Sequence, residues 1–377
     1  AAHTAANRGL ASPNATAAAM CAARGCCYDA AAGECFYAAE GVPVTHVHMI
    51  MSSHLDIGYA DFTGEGPNGT IVGVVNEYFD VYFPRAAAIG AQLRARGGPE
   101  RLRWMCHSWL VSIFFDCPPG VPGLHCPNAT SRNAIDTAIR AGDIWWHALP
   151  FNAEMALYDR SMLAAAVRLT HDLDARFGLP PKRTVSTRDV PGMDRSIIRA
   201  LRGENITCVS EGYNGSPFPA NLPPAFIWKD SGMAADGARL PSIQGVSAPS
   251  GGSVLGLWAF GYGDAGYQFP GTSHALALSW RGDNAGPPLS VAEVLADFQT
   301  YRQQFPGATV MASTFDDFTP HLLAAADALP TIQQEVGDSW IFGPASDPVR
   351  LARVRLFQRQ RSACIAAGSC GVSRCIS

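Results

Sequence analysis

The chain has 377 residues, of which 47% are hydrophobic and 16% are charged, so it can bury a large core and does not have the composition of a disordered protein. Its net charge is -4, with both signs spread along the chain and no basic stripe, which excludes nucleic acid as an expected partner. No apolar run is long enough to span a bilayer, so no membrane span is expected.

Cysteines and glycosylation sequons indicate the compartment. The chain has eleven cysteines, with clusters at 21–35, 117–126 and 364–375 in loop-like sequence, which favours disulfides in an oxidising environment. Five Asn-x-Ser/Thr sequons are candidate glycosylation sites: Asn14, Asn68, Asn128, Asn205 and Asn214. The sequence therefore predicts a glycoprotein that is secreted, extracellular or held in the lumen of the secretory pathway.

Four cysteines in the middle of the chain have different expected states. Cys117 and Cys126 enclose a Pro- and Gly-rich loop and are expected to form its disulfide. Cys106 and Cys208 lie in apolar, strand-like runs, where a cysteine is more often a buried thiol than a ligand.

Residues 20–37 contain a Cys four residues before Gly-Cys-Cys, then an aromatic-Asp pair and a Cys-Phe pair. This segment resembles the second half of a trefoil (P-type) domain. The resemblance implies a disulfide between Cys21 and Cys35, and it leaves Cys26 and Cys27 without their usual partners. We expect residues 1–40 to form a partial trefoil-like, disulfide-stapled cap.

From residue 44 onward, short apolar runs alternate with helix-like stretches. Seven strands are predicted, at 44–52, 102–107, 144–149, 183–187, 206–210, 274–280 and 308–313. Helices are predicted at 72–94, 131–141, 153–177, 194–202, 291–305 and 318–329, with a long excursion at 212–252. Strand–helix alternation without a dinucleotide-binding fingerprint predicts an α/β fold, a (β/α)7 barrel over residues 41–360, followed by a cysteine-containing tail at 361–377.

The first candidate site follows the first predicted strand of the barrel. His54 and Asp56 are two residues apart at the strand end, so their side chains can point the same way and share a cation. An imidazole nitrogen and a carboxylate oxygen suit zinc. The same spacing is also common in residues with a purely structural role.

A second candidate site lies within 145–154, which holds two tryptophans, a histidine and a glutamate. Trp146 and His147 are candidate substrate-binding residues, because apolar sugar faces stack on aromatic rings. Glu154 is the first choice for a catalytic carboxylic acid. The alternatives are tryptophans that belong to the core and a glutamate at a helix start.

Two further carboxylates follow predicted strands. Asp189 precedes Val-Pro-Gly and is a candidate nucleophile or metal ligand, with a helix N-cap as the alternative. Asp283 and Asn284 are candidates for metal or substrate contacts, with a turn as the alternative.

These residues carry a resemblance to glycoside hydrolase family 38, the α-mannosidases. The segment Ser52-x-His54-x-Asp56-x-Gly58-Tyr59 is similar to the family's His-x-His-x-Asp-x-Gly-Trp motif, and Asp189-Val190-Pro191 is similar to its Asp-Pro nucleophile. The resemblance implies that His54, Asp56 and Asp189 bind zinc and that Asp189 is also the nucleophile. The family's fourth ligand lies in a His-His-Asp run that this chain lacks, so Asp283, or else His274, would take its place.

The resemblance spans about residues 44–358. Several segments of the chain are also similar to an uncharacterised branch of that superfamily. It implies metal-dependent, retaining hydrolysis of α-mannoside-containing glycans. The general acid stays open between Glu154 and the alternatives Glu211, Asp264 and Asp316.

Two other functions are consistent with the sequence. One is a non-catalytic extracellular glycoprotein, derived from a hydrolase, that binds carbohydrate or takes part in self-assembly or matrix association. The other is metal-dependent polysaccharide deacetylation, in which water is the nucleophile and Asp189 is a base or ligand.

Overall fold

The computed structural model describes the following residues: 27–29, 34–36, 42–57, 70–190, 192–214, 220, 222–230, 252–262 and 266–368. Its strands are β1 Cys27–Asp29, β2 Glu34–Phe36, β3 His46–His54, β4 Trp104–Cys106, β5 Ile144–Trp146, β6 Thr184–Arg188, β7 Cys208–Tyr213, β8 Ala225–Asp230, β9 Gly252–Phe260, β10 Gly266–Tyr267, β11 His274–Asp283, β12 Thr309–Ala312 and β13 Thr331–Ile332.

Ten α-helices lie in the described part of the chain: α1 Ile71–Glu77, α2 Phe83–Arg96, α3 Ser108–Phe115, α4 Ala129–Arg140, α5 Arg160–Phe177, α6 Ile197–Gly203, α7 Val291–Gln304, α8 Phe315–Ala324, α9 Phe342–Ala345 and α10 Pro348–Ala366. A π-helical segment, Tyr78–Tyr82, connects α1 to α2, and short 3₁₀ segments occupy Met155–Leu157, Ala326–Ala328 and Ser339–Ile341. None of these helices is both long and apolar enough to cross a bilayer.

The first of two large sheets is built around β3. This strand pairs in parallel with β11 along its whole length, with β12 near its start and with β4 near its end. β4 pairs in parallel with β5, and β10 is an antiparallel edge strand beside β11. Nearly every residue of β3 is buried, as expected for a central parallel strand covered on both faces.

The second large sheet has the order β13-β8-β9-β7-β6. The β6–β7 and β7–β9 pairs are parallel, whereas β8 runs antiparallel to β9. A backbone hydrogen bond from Ala148 N to Thr184 O, 2.8 Å long, connects the segment after β5 with the start of β6. The seven predicted strands are present and parallel, but the described strands form two open sheets, so the structure does not show the predicted closed (β/α)7 barrel.

One apolar cluster contains side chains of both sheets. Side chains from the first sheet, including Ile50 and Met105, pack in the same cluster as Cys208 and Leu255 from the second. Because side chains alternate along a strand, the even-numbered residues of β3 share the face of Ile50. His48 and His54 therefore lie on the same face of β3, near opposite ends of the strand.

Several element boundaries differ from the sequence predictions. β8 and β9 were not predicted, because β8 lies inside the Gly-, Pro- and Ser-rich region 212–252 that was predicted to be an excursion, and β9 begins at the last residue of that region. The helix predicted at 153–177 begins only at Arg160, where the Asp159 side chain accepts a hydrogen bond from Met162 N. The helix predicted at 131–141 begins at Ala129, and its N-cap is Asn128, whose side chain accepts from Ser131 N.

The cysteines in the middle of the chain are in their expected states. Cys117 and Cys126 form a disulfide with a Cα–Cα distance of 5.6 Å. Cys106 and Cys208 are buried free thiols. Both predictions are confirmed.

At the N-terminus, β1 and β2 pair antiparallel. Cys21 lies outside the described residues, and only the backbone of Cys35 is described, so their pairing and the trefoil resemblance stay predictions.

Candidate functional site

Polar side chains meet where strands of both sheets end. His54 is the last residue of β3, Asp283 is the last residue of β11, and Asp189 directly follows β6. The carboxyl ends of parallel strands are the usual location of active sites in α/β folds. Residues from three distant stretches of sequence, together with Asp56, are therefore brought to one place.

The distances within this group are short. His54 Nε2 lies 3.8 Å from Asp189 Oδ2 and 4.0 Å from Asp283 Oδ1. One ligand atom each from His54, Asp56 and Asp283 lie within 4.8 Å of one another, whereas Asp189, which was predicted as the third ligand, is not a member of this group. We call His54, Asp56, Asp189 and Asp283 the carboxylate cluster.

The electrostatics of the carboxylate cluster favour a cation. Burial raises the pKa of Asp56, and the neighbouring carboxylates of Asp283 and Asp189 raise it further. Burial lowers the pKa of His54, and Asp189 and Asp283 act in the opposite direction. A neutral imidazole beside carboxylates that repel one another is a donor set that fits zinc in type and spacing, so His/Asp groups that could bind a metal are present.

Asn284 is hydrogen-bonded to the backbone of the segment that carries His54 and Asp56. Its Nδ2 donates to Asp56 O (2.6 Å), its Oδ1 accepts from Asp56 N (3.1 Å), and its backbone N donates to His54 O (2.9 Å). These bonds use one proton and one lone pair of the side-chain amide, and its predicted contact with substrate stays a prediction. Asn284 fixes the backbone that carries His54 and Asp56, two of the three predicted metal ligands.

Asn152 orients the His54 ring and was not singled out from the sequence. Its Nδ2 donates to His54 Nδ1 (3.0 Å) and to Leu55 O (2.9 Å), and its Oδ1 accepts from Arg188 N (3.2 Å). Because Nδ1 accepts, the neutral ring carries its proton on Nε2, which faces Asp189 and Asp283. A metal on Nε2 would displace that proton, so binding would weaken at acidic pH.

Asp189 has an uncommon backbone conformation. Its φ is 69°, in the left-handed region, and its N–H donates to Gly212 O at 2.7 Å. Non-glycine residues in this region cluster at functional sites. The helix that follows begins only at Ile197, so Asp189 is not its N-cap.

Asn214 contacts the same carboxylate. Its Nδ2 donates to Asp189 Oδ1 at 2.6 Å, which leaves Oδ2 as the oxygen that faces His54. The nitrogen that makes this bond is also the one that a glycan on Asn214 would occupy. A glycan there would therefore lie beside Asp189.

A buried cation lies under Asp189. Arg188 is 1% exposed, and its guanidinium donates to Thr187 O (2.7 Å) and to Ser210 O (3.1 Å). Burial lowers the pKa of Arg188 to about 10. Gly212 makes room for this side chain, since an added Cβ would lie 2.1 Å from Arg188 Cδ.

Glu211 lies beside Arg188 on the neighbouring strand. Thr187 Oγ1 donates to its Oε2, and its Oε1 is buried without a hydrogen-bond partner among the described residues. Burial raises its pKa well above the usual range. This carboxyl is enclosed rather than open to a substrate.

The structure places Trp146 and His147 under the site and not on its surface. Trp146 is 1% exposed, belongs to the core, and donates from Nε1 to Asp174 Oδ1 at 2.7 Å. His147 is buried, packs edge-to-face on His107 and accepts from Leu149 N. Neither ring offers a face on which a sugar could stack, so the prediction that Trp146 and His147 contact substrate is wrong.

Other candidates fall in different places. Glu154 Oε2 is buried without a hydrogen-bond partner among the described residues, two positions after Asn152, which contacts His54. Asp316 accepts from Thr184 Oγ1 and Arg183 N at the start of β6, the end opposite to Asp189, so it is not the general acid. His274 begins β11 and is paired with His46, so it is not the fourth ligand of the carboxylate cluster.

Some predicted residues stay untested. Asp264, Asn14 and Asn68 lie outside the described residues. The sequon residues Asn128 and Asn205 are exposed, and their glycosylation and the secretory location stay predictions.

Comparison with known proteins finds a likeness in fold. No protein-family profile and no curated protein sequence matches the chain. The crystal structure of an alpha-mannosidase from Enterococcus faecalis V583 has a TM-score of 0.51 and 14% identity, covering 78% of this chain and 31% of that chain. The fold is therefore similar to that of an α-mannosidase, over less than a third of that protein's length.

Two other solved structures have lower TM-scores. A glycosyl hydrolase family 38 protein from Enterococcus faecalis has a TM-score of 0.45 and 12% identity, covering 78% of this chain and 29% of that one. A 4-alpha-glucanotransferase from Thermococcus litoralis has a TM-score of 0.43 and 10% identity, covering 86% of this chain and 45% of that one.

Proposed function

We propose that this chain is a zinc-dependent retaining glycoside hydrolase that acts on α-mannosides in glycans. The observation that carries the proposal is the carboxylate cluster, in which His54, Asp56 and Asp283 offer ligand atoms within 4.8 Å and Asp189 Oδ2 lies 3.8 Å from His54 Nε2. The α-mannosidase-like fold supports it, because the cluster lies at the strand ends where such folds place their chemistry.

His54, Asp56 and Asp283 would hold the metal, with Asp189 beside it. When bound, zinc supplies Lewis-acid binding and orientation of sugar hydroxyls. Asn284 and Asn152 keep the ligand side chains in place through the hydrogen bonds described above, and such supporting contacts are worth about 10- to 100-fold in metal affinity or activity.

The remaining chemistry falls to two carboxyl groups. Asp189 Oδ2 attacks the anomeric carbon as the bond to the leaving oxygen breaks, while Asn214 holds Oδ1. A carboxylic acid, for which we propose Glu154, gives its proton to that oxygen. Glu154 then takes a proton from water as the water attacks the anomeric carbon and releases Asp189.

The proposal is tested on the full chain with aryl α-mannosides and Asp189→Asn. Loss of the nucleophile is expected to lower kcat/KM by about 1,000-fold or more and to abolish the covalent adduct formed with a trapping fluoroglycoside, measured by intact-mass spectrometry. Asp327→Asn, an exposed aspartate in the 3₁₀ segment Ala326–Ala328, is the matched control and should match the parent.

Two outcomes contradict the proposal. Unchanged hydrolysis and adduct formation in Asp189→Asn would remove Asp189 from the mechanism. A parent chain that binds zinc and glycans but hydrolyses none of a panel of glycosides would support the non-catalytic carbohydrate-binding scaffold instead.

A further inference from the structure

A second group of histidines lies near the opposite end of β3. His48 is near the start of that strand, His274 begins β11, and His321 lies on α8. The parallel pairing of β3 with β11 and β12 brings these elements together, because α8 directly follows β12. We call His48, His274 and His321 the histidine cluster.

The three rings are in contact. His48 Nε2 lies 2.9 Å from His274 Nδ1, and the rings of His274 and His321 stack with centroids 3.6 Å apart. One ligand nitrogen from each lies within 4.8 Å of the others. Zn–N bonds of about 2.1 Å place two nitrogens of a tetrahedral site roughly 3.4 Å apart, so the stacked rings of His274 and His321 must turn apart before a nitrogen of each points at one ion.

The protonation state of the histidine cluster suits metal binding. Burial, followed by His274 and His321, lowers the pKa of His48 to about 4, and burial also lowers the pKa of His274. Both rings are therefore neutral at physiological pH, the form in which imidazole binds metals.

The hydrogen bond of His48 to Ser313 is also typical of a histidine that ligates a metal. Its Nδ1 lies 2.9 Å from Ser313 Oγ, which can accept the ring proton and leave a lone pair on Nε2. His48 is 3% exposed, so Ser313 fixes a ring that has little other freedom. A ligating histidine whose other nitrogen is held by a hydrogen bond is the usual arrangement in metal sites.

We propose that the histidine cluster is a second metal site, separate from the carboxylate cluster, that binds one zinc-class divalent cation through three imidazoles. Imidazole ligands select zinc, copper or nickel over the hard cations calcium and magnesium. The site would cross-link β3, β11 and α8, and so hold the strand that carries His54 at its other end. Its role is structural, since no predicted catalytic residue belongs to it.

The test measures zinc per chain on tag-free, full-length protein, stripped with a chelator, reloaded with Zn²⁺ and desalted. His321→Gln is expected to hold one equivalent less than the parent. The same loss is expected in an Asp56→Asn, Asp283→Asn background, so the result does not depend on whether the carboxylate cluster binds metal. Ser313→Ala should keep the equivalent but bind it about tenfold more weakly.

The matched control is His125→Gln, because His125 is exposed and bonded to Asp80 at 2.7 Å, outside the cluster. It should hold as much zinc as the parent. Circular dichroism of the metal-free proteins checks that His321→Gln is folded, and His274→Gln replaces it if it is not. Equal zinc content in the parent and the cluster variants, in both backgrounds, would overturn the proposal and leave a stack of structural histidines.

Discussion

The two ends of β3 carry the same residue type among different neighbours. His54 lies among Asp56, Asp189 and Asp283, and the charges of Asp189 and Asp283 partly oppose the effect of burial on its pKa. His48 lies among histidines, whose charges add to the effect of burial and lower its pKa to about 4. The difference shows that neighbours, rather than the residue itself, decide whether a buried histidine belongs to an anionic, reactive site or to a neutral one.

The largest effect expected to sharpen this comparison is the loss of proton transfer to the leaving group, at the end of β3 that carries His54. Glu154→Gln should lower kcat by about 100- to 10,000-fold for substrates with poor leaving groups, because they need a proton from the acid. Substrates whose leaving group needs no proton should lose much less. The measurement is kcat for a series of aryl α-mannosides of graded leaving-group pKa.

Glu211→Gln is the comparison variant for that series, because Glu211 is a buried carboxyl that is enclosed beside Arg188, and burial raises its pKa. Any decrease in the kcat of Glu211→Gln should not depend on the leaving group. A leaving-group dependence in Glu211→Gln and none in Glu154→Gln would reassign the general acid to Glu211.

The next effect concerns metal affinity at the same end. Asn284→Gly removes the side-chain bonds to Asp56 without strain, since Asn284 has a φ of 47°. We expect zinc affinity of the carboxylate cluster to fall by about 10- to 100-fold, measured by chelator competition in the His321→Gln background.

Asn205→Gly is the matched control for that change, because Asn205 is exposed and also has a positive φ, 61°. It should leave zinc affinity unchanged. An equal loss in both variants would mean that the effect comes from the backbone in general and not from the contact with Asp56.

The smallest effect is on the pH dependence of folding stability, through His147, which is buried beneath the carboxylate cluster. Burial, followed by the charge of Arg188, lowers the pKa of His147 from 6.5 to about 3. In the unfolded chain the His147 imidazole therefore binds a proton near pH 6.5, whereas in the folded chain it binds one only near pH 3. The free energy of unfolding consequently falls as the pH falls from 6.5 towards 3. Between pH 7 and pH 5 this costs about 2 kcal/mol at most, at ~1.4 kcal/mol per pKa unit.

His147→Gln should lose less stability over that pH range than the parent, as measured by urea unfolding at pH 7 and pH 5. His125→Gln, at an exposed histidine, should follow the parent. Parallel losses in all three proteins would show that His147 is not the group that titrates.

Much of the fold follows from local sequence. Apolar runs bounded by polar residues located all seven parallel strands, because buried parallel strands read as continuous apolar stretches. β8 and β9 escaped detection because the Gly-, Pro- and Ser-rich sequence of the region 212–252 is typical of a loop, and without them the seven strands suggested a barrel. Closure depends on how distant strands pair, for example β7 with β9, which no local pattern specifies.

The candidate site was only partly predictable. Strand-end positions located His54, Asp56, Asp189 and Asp283, because ligands at strand ends converge whatever the order of strands. Trp146 was misassigned, since an aromatic residue at a strand end reads the same whether it faces core or cleft. The roles of Asn152 and Asn284 depend on hydrogen bonds to residues far away in sequence.

The left-handed backbone at Asp189 also limits how this position could change during evolution. Only Gly, Asn and Asp adopt such a φ readily, and of these only Asp has a carboxylate. A mutation to Asn or Gly would be tolerated by the fold and would abolish the proposed nucleophile. A longer or branched replacement would strain the chain, so descendants of this protein could lose the nucleophile easily but could hardly exchange it for another.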